Sequence, residues 1–174
     1  KGYQIKTQSN YGYLDLEEIN SFNEENISRL MKKASVCINL IGILFEKNKN
    51  QFNLIHSNLP SLLSKLASKN YLEQFIHISA LGIESAIDSN YAVSKLKGER
   101  NVRENFSEAV ILKPSIVYSV DDNFSTNFMS LLSKLPIMPL YYAGNTKFSP
   151  IHVSDLIDII FKIIENKNDN LILE

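Results

Sequence analysis

The sequence predicts an α/β domain, a parallel sheet of four or five strands covered by helices. Two observations carry that prediction. Short apolar runs of strand length, such as Ser35–Ile41 (SVCINLI) and Ala109–Lys113 (AVILK), alternate with amphipathic stretches of helix length. That is the pattern left by strands buried between helical layers. The chain is also 174 residues long, one domain's worth, with 44% apolar residues to fill a core.

The elements follow in order. Tyr13–Glu18 alternates like a strand. Asn23 can cap a helix that opens on Glu24 and Glu25 and closes on Lys32 and Lys33, a polarity that suits the helix dipole. Ser35–Ile41 reads as a buried strand, and a loop through Gly42–Asn50 leads to a helix near Gln51–Ser68. Pro60 inside that helix forces a kink or a fresh start. Gln74–Ser79 (QFIHIS) is a short strand, and Ser89–Asn105 is a helix with a charged outer face. Ala109–Lys113 is a strand stopped by Pro114. Asn123–Ser133 reads as helical, and Pro136 and Pro139 impose irregular structure after it. Val153–Glu165 is a last helix, capped by Ser154 or Asp155, and Leu171–Leu173 is a short strand.

Charge and composition exclude several classes. Lys and Arg number 18 against 19 Asp and Glu, so there is no basic surplus for nucleic acid. The longest uncharged apolar run, Val36 to Phe45, falls far short of the ~20 residues that span a bilayer. Cys37 is the one cysteine and cannot form an internal disulfide. We expect a soluble intracellular domain. The chain begins at Lys1 with no leader resembling a signal peptide, and we expect its natural beginning to lie elsewhere.

One constellation carries chemistry. Tyr91-Ala92-Val93-Ser94-Lys95 matches Tyr-x-x-x-Lys, which sets a phenol and an ammonium on one helix face. An ammonium there favours the phenolate and draws the Tyr91 pKa down from ~10. A phenol so tuned can exchange a proton with a carbonyl or alcohol oxygen. By chance the chain would hold ~0.7 such pairs, so the spacing alone is weak. Ser79 strengthens it, because a serine ending an apolar strand stands at the carboxyl edge of the sheet, where ligands bind. Its hydroxyl is expected to donate to the oxygen that Tyr91 serves. Other polar residues read as structural. His56, His77 and His152 are scattered without metal-ligand spacing. Cys37 reads as packing. The pairs Glu24–Glu25 and Asp121–Asp122 read as a helix start and a solvated loop.

The run from strand through Ser79 to Tyr91-x-x-x-Lys95 and Pro114 resembles the short-chain dehydrogenase/reductase superfamily. The segments VCINLIGILFE, FIHISALG, NYAVSKLKGE, ILKPSIVYSVDDNF and FSPIHVSDL are similar to its atypical, extended branch. That branch includes NAD-dependent epimerase/dehydratase-like proteins, the NAD(P)H-binding accessory subunit of respiratory complex I and a relative serving coenzyme Q biosynthesis. The resemblance covers about residues 11–165 and implies a Rossmann-like doubly wound parallel sheet. It implies NAD or NADP as cofactor, with Leu40, Ile41 and Gly42 lining it behind their strand and Ile78 beside it. Ser79 and Tyr91 take the active-site places, Lys95 holds the nicotinamide ribose, and Pro114, Ser115 and Ile116 approach the nicotinamide. Asn20 would lie near adenine, while Asn58, His152 and Asp155 are structural. The implied partner is a respiratory or quinone-synthesis complex, and the implied location is cytoplasmic, peripheral at the inner face of the membrane.

The glycines stand at positions 2, 12, 42, 82, 98 and 144, and none makes Gly-x-Gly or Gly-x-x-Gly. The first strand–Gly-loop–helix–strand unit, which offers amide N–H groups to the pyrophosphate, is therefore not among these residues. We expect residues 1–174 to be a partial NAD(P)-binding domain that holds the dinucleotide weakly. By resemblance Tyr13–Glu18 and Ser35–Ile41 are the third and fourth strands of the order 3-2-1-4-5-6. Two missing strands would part them by about 14 Å. The apolar edge so exposed invites self-association. The function implied is that of an NAD(P)-dependent oxidoreductase or epimerase. The alternative is a dinucleotide-binding assembly module without turnover, or an inactive remnant of a split gene.

Overall fold

A computed structural model describes Glu17, Ile19, residues 22–119, Lys147, residues 149–166 and Ile172–Leu173. Helix α1 spans Glu24–Met31, and strand β1 spans Val36–Asn39. A π-helical segment, Asn53–Asn58, runs directly into α2, Leu59–Lys69. Strand β2 spans Gln74–Ile78, α3 Asn90–Asn105 and β3 Val110–Leu112. Strands β4 (Val117–Tyr118) and β5 (Ile151–His152) are two residues each. Helix α4 spans Val153–Asn166, and β6 spans Ile172–Leu173.

β1, β2, β3 and β6 form one parallel sheet in that spatial order. In register, Cys37 stands opposite Phe75, and Ile76 opposite Val110. Strand side chains alternate between the two faces. Phe75 points into a core closed by Ile27 and Met31 of α1, Leu66 and Ala67 of α2 and Val102 of α3. Ile76, Val110 and Leu112 face the other way, against Ile163 of α4, with Ile159 and Ile160 packed alongside. Helices on both faces make the sheet doubly wound, as the sequence predicts. β4 and β5 pair separately and in parallel, an element that two-residue strands give no periodicity to foresee.

The ends of the elements have local causes. Asn23 caps α1, its Oδ1 accepting the Glu25 N–H at 2.8 Å. Ser89 caps α3 through the Ala92 N–H. β1 ends at Asn39, short of the expected Ile41, because the Asn39 Oδ1 takes the Ile41 N–H at 3.2 Å and turns the chain away. Pro60 acts as anticipated, but through a widened helix. In an α-helix residue 60 would donate to the His56 carbonyl, and a proline has no N–H to give. The chain winds wider there, with the Leu59 N–H bonded to the Leu54 carbonyl five residues back. At the start of α4, the Ser154 N–H bonds to His152 Nδ1 at 3.3 Å, so His152 takes part of the capping role expected of Ser154 or Asp155.

The expected strand Tyr13–Glu18 and its gap lie outside the described residues, as do Asn20, the helix Asn123–Ser133, Pro136 and Pro139. Among the described residues β1 pairs only with β2. Ile38 on β1 is partly exposed, and the loop after it exposes Leu40 (66%), Leu44 (82%) and Phe45 (67%). No described helix is long and apolar enough to cross a membrane.

Candidate functional site

The carboxyl ends of β1, β2 and β3 bring together some of the residues singled out in the sequence, Gly42, Ile78 and Lys95 among them. The turn after β1 carries Leu40, Ile41 and Gly42 over the end of the sheet, the first two with exposed side chains. Lys95 reaches this turn from α3. Its Nζ donates to the Ile78 carbonyl at 3.2 Å, and a Cβ built on Gly42 would lie 3.5 Å from that Nζ. Gly42, Ile78 and Lys95 thus meet at one point. The Pro114 carbonyl accepts the Leu81 N–H at 3.1 Å, which sets the segment after β3 beside the loop after β2. Ser115 and Ile116 lie further along and face β5, through Ser149 N–H to Ser115 Oγ (3.4 Å) and Ile151 N–H to the Ile116 carbonyl (2.9 Å).

Tyr91 and Lys95 lie one turn apart on α3. The Tyr91 ring stands nearly perpendicular to the rings of His56 and Phe52, with centroids 5.1 and 5.7 Å away. Burial raises the phenol pKa above its ordinary value. This corrects the expectation that Lys95 would lower it. The ammonium of Lys95 is turned to the Ile78 carbonyl, and burial lowers its own pKa against the opposing pull of Glu99.

Ser79 also departs from its expected part. It is 5% exposed, and its hydroxyl donates to the Glu99 carboxylate. The other Glu99 oxygen meets Lys113 Nζ at 3.2 Å, and Lys113 in turn bonds Glu84. A hydroxyl has one proton, and here a charge-assisted bond to a carboxylate holds it. Ser79 is therefore joined to α3 rather than offering a donor to the oxygen served by Tyr91. Glu99 was not singled out in the sequence, though it continues the four-residue spacing of Tyr91 and Lys95 on the same helix face.

Two histidines that look scattered in the sequence flank Lys95 in space. His56 is fully buried. Ser94 Oγ donates to the Tyr91 carbonyl at 2.7 Å, so it must accept from His56 Nδ1, 3.0 Å away. His56 Nε2 then accepts the Ile43 N–H at 3.1 Å. This pattern fixes a neutral ring with its proton on Nδ1. Burial, and then the Lys95 charge, hold the His56 pKa down at about 4. His77 carries its proton on the other nitrogen. The Asn39 Oδ1 is taken by Ile41, so the Asn39 Nδ2 donates to His77 Nδ1 at 3.1 Å. The buried His77 Nε2 has no hydrogen-bond partner among the described residues. Burial, Lys95 and His56 together push the His77 pKa down to about 3. Cys37 has its thiol pushed up to about 11 by burial, which suits packing rather than nucleophilic chemistry. Among the described residues, no group of three or more His, Cys, Asp and Glu side chains could hold a metal ion.

No protein-family model matches the chain. It is 27% identical over 152 residues to the mitochondrial NADH dehydrogenase [ubiquinone] 1 alpha subcomplex subunit 9 of Mus musculus, covering 87% of this chain and 40% of that protein. It is 28% identical over 129 residues to the ceramide reductase of Caulobacter vibrioides, covering 74% of this chain and 40% of that one. The chain thus spans about two fifths of the length of these curated relatives. In fold it matches the UDP-glucuronic acid 4-epimerase of Bacillus cereus, solved with UDP-glucuronic acid and NAD. The TM-score is 0.66 at 22% identity, over 87% of this chain and 57% of that one. Relatives in sequence and neighbours in fold agree with the resemblance read from the motifs: the chain is similar to the alpha subcomplex subunit 9 of NADH dehydrogenase and to the ceramide reductase, and it shares the α/β fold of the NAD-bound epimerase.

Proposed function

We propose that the chain is part of an NAD(P)-binding protein of the short-chain dehydrogenase/reductase superfamily, and that it supplies the nicotinamide-ribose side of a dinucleotide site. One observation carries the reading. Lys95 Nζ sits at the carboxyl ends of β1 and β2, bonded to the Ile78 carbonyl and beside Gly42, with Tyr91 one turn before it. A ligand in an open α/β sheet enters at that edge. The residues present fit the ribose end of a dinucleotide. The carbonyl of Ile78 takes one of the three N–H groups of Lys95, and ribose hydroxyls are natural acceptors for the others. NAD in the Bacillus cereus epimerase structure supports the same cofactor class.

A bound NAD(P) supplies hydride chemistry. The chain's own residues orient it and manage a proton. Lys95 would hold the ribose, Gly42 leaves room for close approach, and Leu40, Ile41 and Pro114 would form an apolar border, whereas Ser115 and Ile116 face β5. Tyr91 gives or takes a proton at its phenol oxygen. Its raised pKa favours the protonated phenol, which acts as acid toward a carbonyl oxygen. Ser79 holds α3 in place through Glu99 and does not serve the substrate. The ceramide reductase relative supports an oxidoreductase or epimerase-like activity.

A second reading has an observation of its own. The exposed Leu40, Ile41, Leu44 and Phe45 form an apolar rim beside the edge of β1 that pairs with no strand among the described residues, a surface suited to docking. With the subunit relatives of NADH dehydrogenase, it supports a dinucleotide-binding assembly module at a respiratory or quinone-synthesis complex, peripheral to the membrane. Self-association is the competing use of that edge.

Titration of the chain with NADH and NADPH, followed by nucleotide fluorescence, tests the dinucleotide site. We expect weak binding, because the 174 residues hold no Gly-x-Gly or Gly-x-x-Gly to cradle the pyrophosphate. That binding should be lost in Lys95→Ala. Binding that ignores Lys95→Ala would overturn the assignment. Tight binding by Tyr91→Phe, with no turnover by wild type on ketone or alcohol substrates, would favour the assembly reading.

A further inference from the structure

We infer that His56 is a positioning residue, which ties the turn after β1 to the Tyr91 helix by using both ring nitrogens together with ring contacts to Phe52 and Tyr91. The inference rests on the reading of Tyr91, Lys95 and Gly42 as a dinucleotide site, and it adds a residue that no motif marks.

Four contacts converge on this ring. Nε2 accepts the Ile43 N–H, the amide that follows Gly42. Nδ1 donates to Ser94 Oγ, whose own proton goes to the Tyr91 carbonyl. The Tyr91 ring stands nearly perpendicular to the imidazole with centroids 5.1 Å apart, and Phe52 stacks on it at 5.3 Å with an 18° interplanar angle. The turn that borders the cofactor site and the phenol that would serve it are therefore joined through one buried side chain. His56 also sits in the π-helical segment. Such widened turns recur where a helix must aim a side chain that regular winding would misplace.

The charges around the ring keep it in the form that this role needs. Lys95 faces it from α3, His77 from β2 and Glu46 from the loop after β1. The ammonium and burial oppose protonation, and Glu46 is a weaker pull the other way. A protonated Nε2 would present an N–H to the Ile43 N–H, donor against donor, and would break the link.

Two variants separate the two halves of the role. His56→Phe keeps a ring against Tyr91 but offers Ile43 no acceptor. His56→Gln offers an acceptor near Nε2 but no ring. On the full chain, nitrogen-15 spectra at neutral pH should show His56 protonated on Nδ1. Exchange of the Ile43 amide should quicken about tenfold in His56→Phe and much less in His56→Gln, the loss of one buried hydrogen bond. The Tyr91 ring carbon shifts should move in His56→Gln and stay close to wild type in His56→Phe. Weakened NADH binding in His56→Phe, with the wild-type affinity largely recovered in His56→Gln, would tie the link to the cofactor. An Nε2–H tautomer, or equal Ile43 exchange in wild type and His56→Phe, would overturn the inference. Absence of NADH binding in every form would defeat the dinucleotide reading instead, and the Ile43 amide would still decide whether His56 couples turn to helix.

Discussion

A methyl group placed on Gly98 would lie 1.8 Å from the carbonyl oxygen of His56. Helix α3 therefore passes the π-helical segment at a distance that only glycine allows. The cause lies at Pro60, which removes the N–H that would draw the His56 carbonyl into an α-helical bond. That carbonyl faces α3 instead, on the same backbone that holds the His56 ring against Tyr91.

Gly98→Ala puts two effects of opposite sign in competition. In an open helix, alanine is favoured over glycine by about 1 kcal/mol. Here the added carbon meets a backbone oxygen that cannot rotate away, and overpacking of this kind costs about 3 kcal/mol. The clash should win, so denaturant unfolding should show a net loss of about 2 kcal/mol or more. A more stable variant would mean that α3 and the π-helical segment stand further apart.

Ser79→Ala and Tyr91→Phe should behave oppositely. Removing the Ser79 hydroxyl takes a charge-assisted bond from the buried Glu99, a loss of about 1.5–3 kcal/mol in unfolding free energy. It should leave NADH affinity near wild type. Tyr91→Phe removes only a phenol oxygen and keeps the ring contacts with His56 and Phe52, so stability should change little. If a longer form of the protein turns over a substrate, Tyr91→Phe should abolish that turnover. A catalytic collapse in Ser79→Ala without loss of stability would restore the serine to the reaction.

The two buried histidines predict how stability follows pH. Their folded pKa values, about 4 for His56 and about 3 for His77, lie below the ordinary 6.5. Between those limits the unfolded chain binds more protons than the folded one, so stability falls as pH drops below 6.5. With both rings involved the slope near pH 5 approaches about 2.7 kcal/mol per pH unit. Urea midpoints measured from pH 7.5 to 4.5 check this. A flat profile down to pH 5 would show that the rings are charged or exposed.

Much of the fold was legible because strand burial leaves a local mark. The three apolar runs became β1, β2 and β3, and Asn23 and Ser89 cap helices where polar residues precede amphipathic runs. Lys95 could be read for a similar reason, since a four-residue spacing fixes a helix face. The partners of these residues could not be read. Ser79 and Glu99 are 20 residues apart and His56 and Ser94 are 38 apart, and only the packing of α3 and the π-helical segment onto the sheet brings them together. Of the residues the motif named, Gly42, Ile78 and Lys95 meet at the sheet edge, while the Ser79 proton goes to Glu99 and burial raises the Tyr91 pKa. Both depend on neighbours that tertiary contact chooses.

Lys95 acts on both histidines through its charge, and that coupling can be measured directly. The ammonium is the second largest cause of the low pKa of His56 and of His77, after burial. Lys95→Met keeps the length and apolar stem of the side chain and deletes the charge. Both histidine pKa values should rise, read from the ring proton shifts across pH 2.5 to 7. Neither should reach 6.5, because burial, the larger cause, remains. The acid limb of the stability profile should move with them, since a smaller gap between folded and unfolded pKa leaves fewer protons to be taken up on unfolding. Lys95→Arg retains a positive charge and should hold both rings close to their wild-type titrations. Unmoved histidines in Lys95→Met would place the ammonium away from the rings, and with it away from the Gly42 turn where the dinucleotide site is drawn.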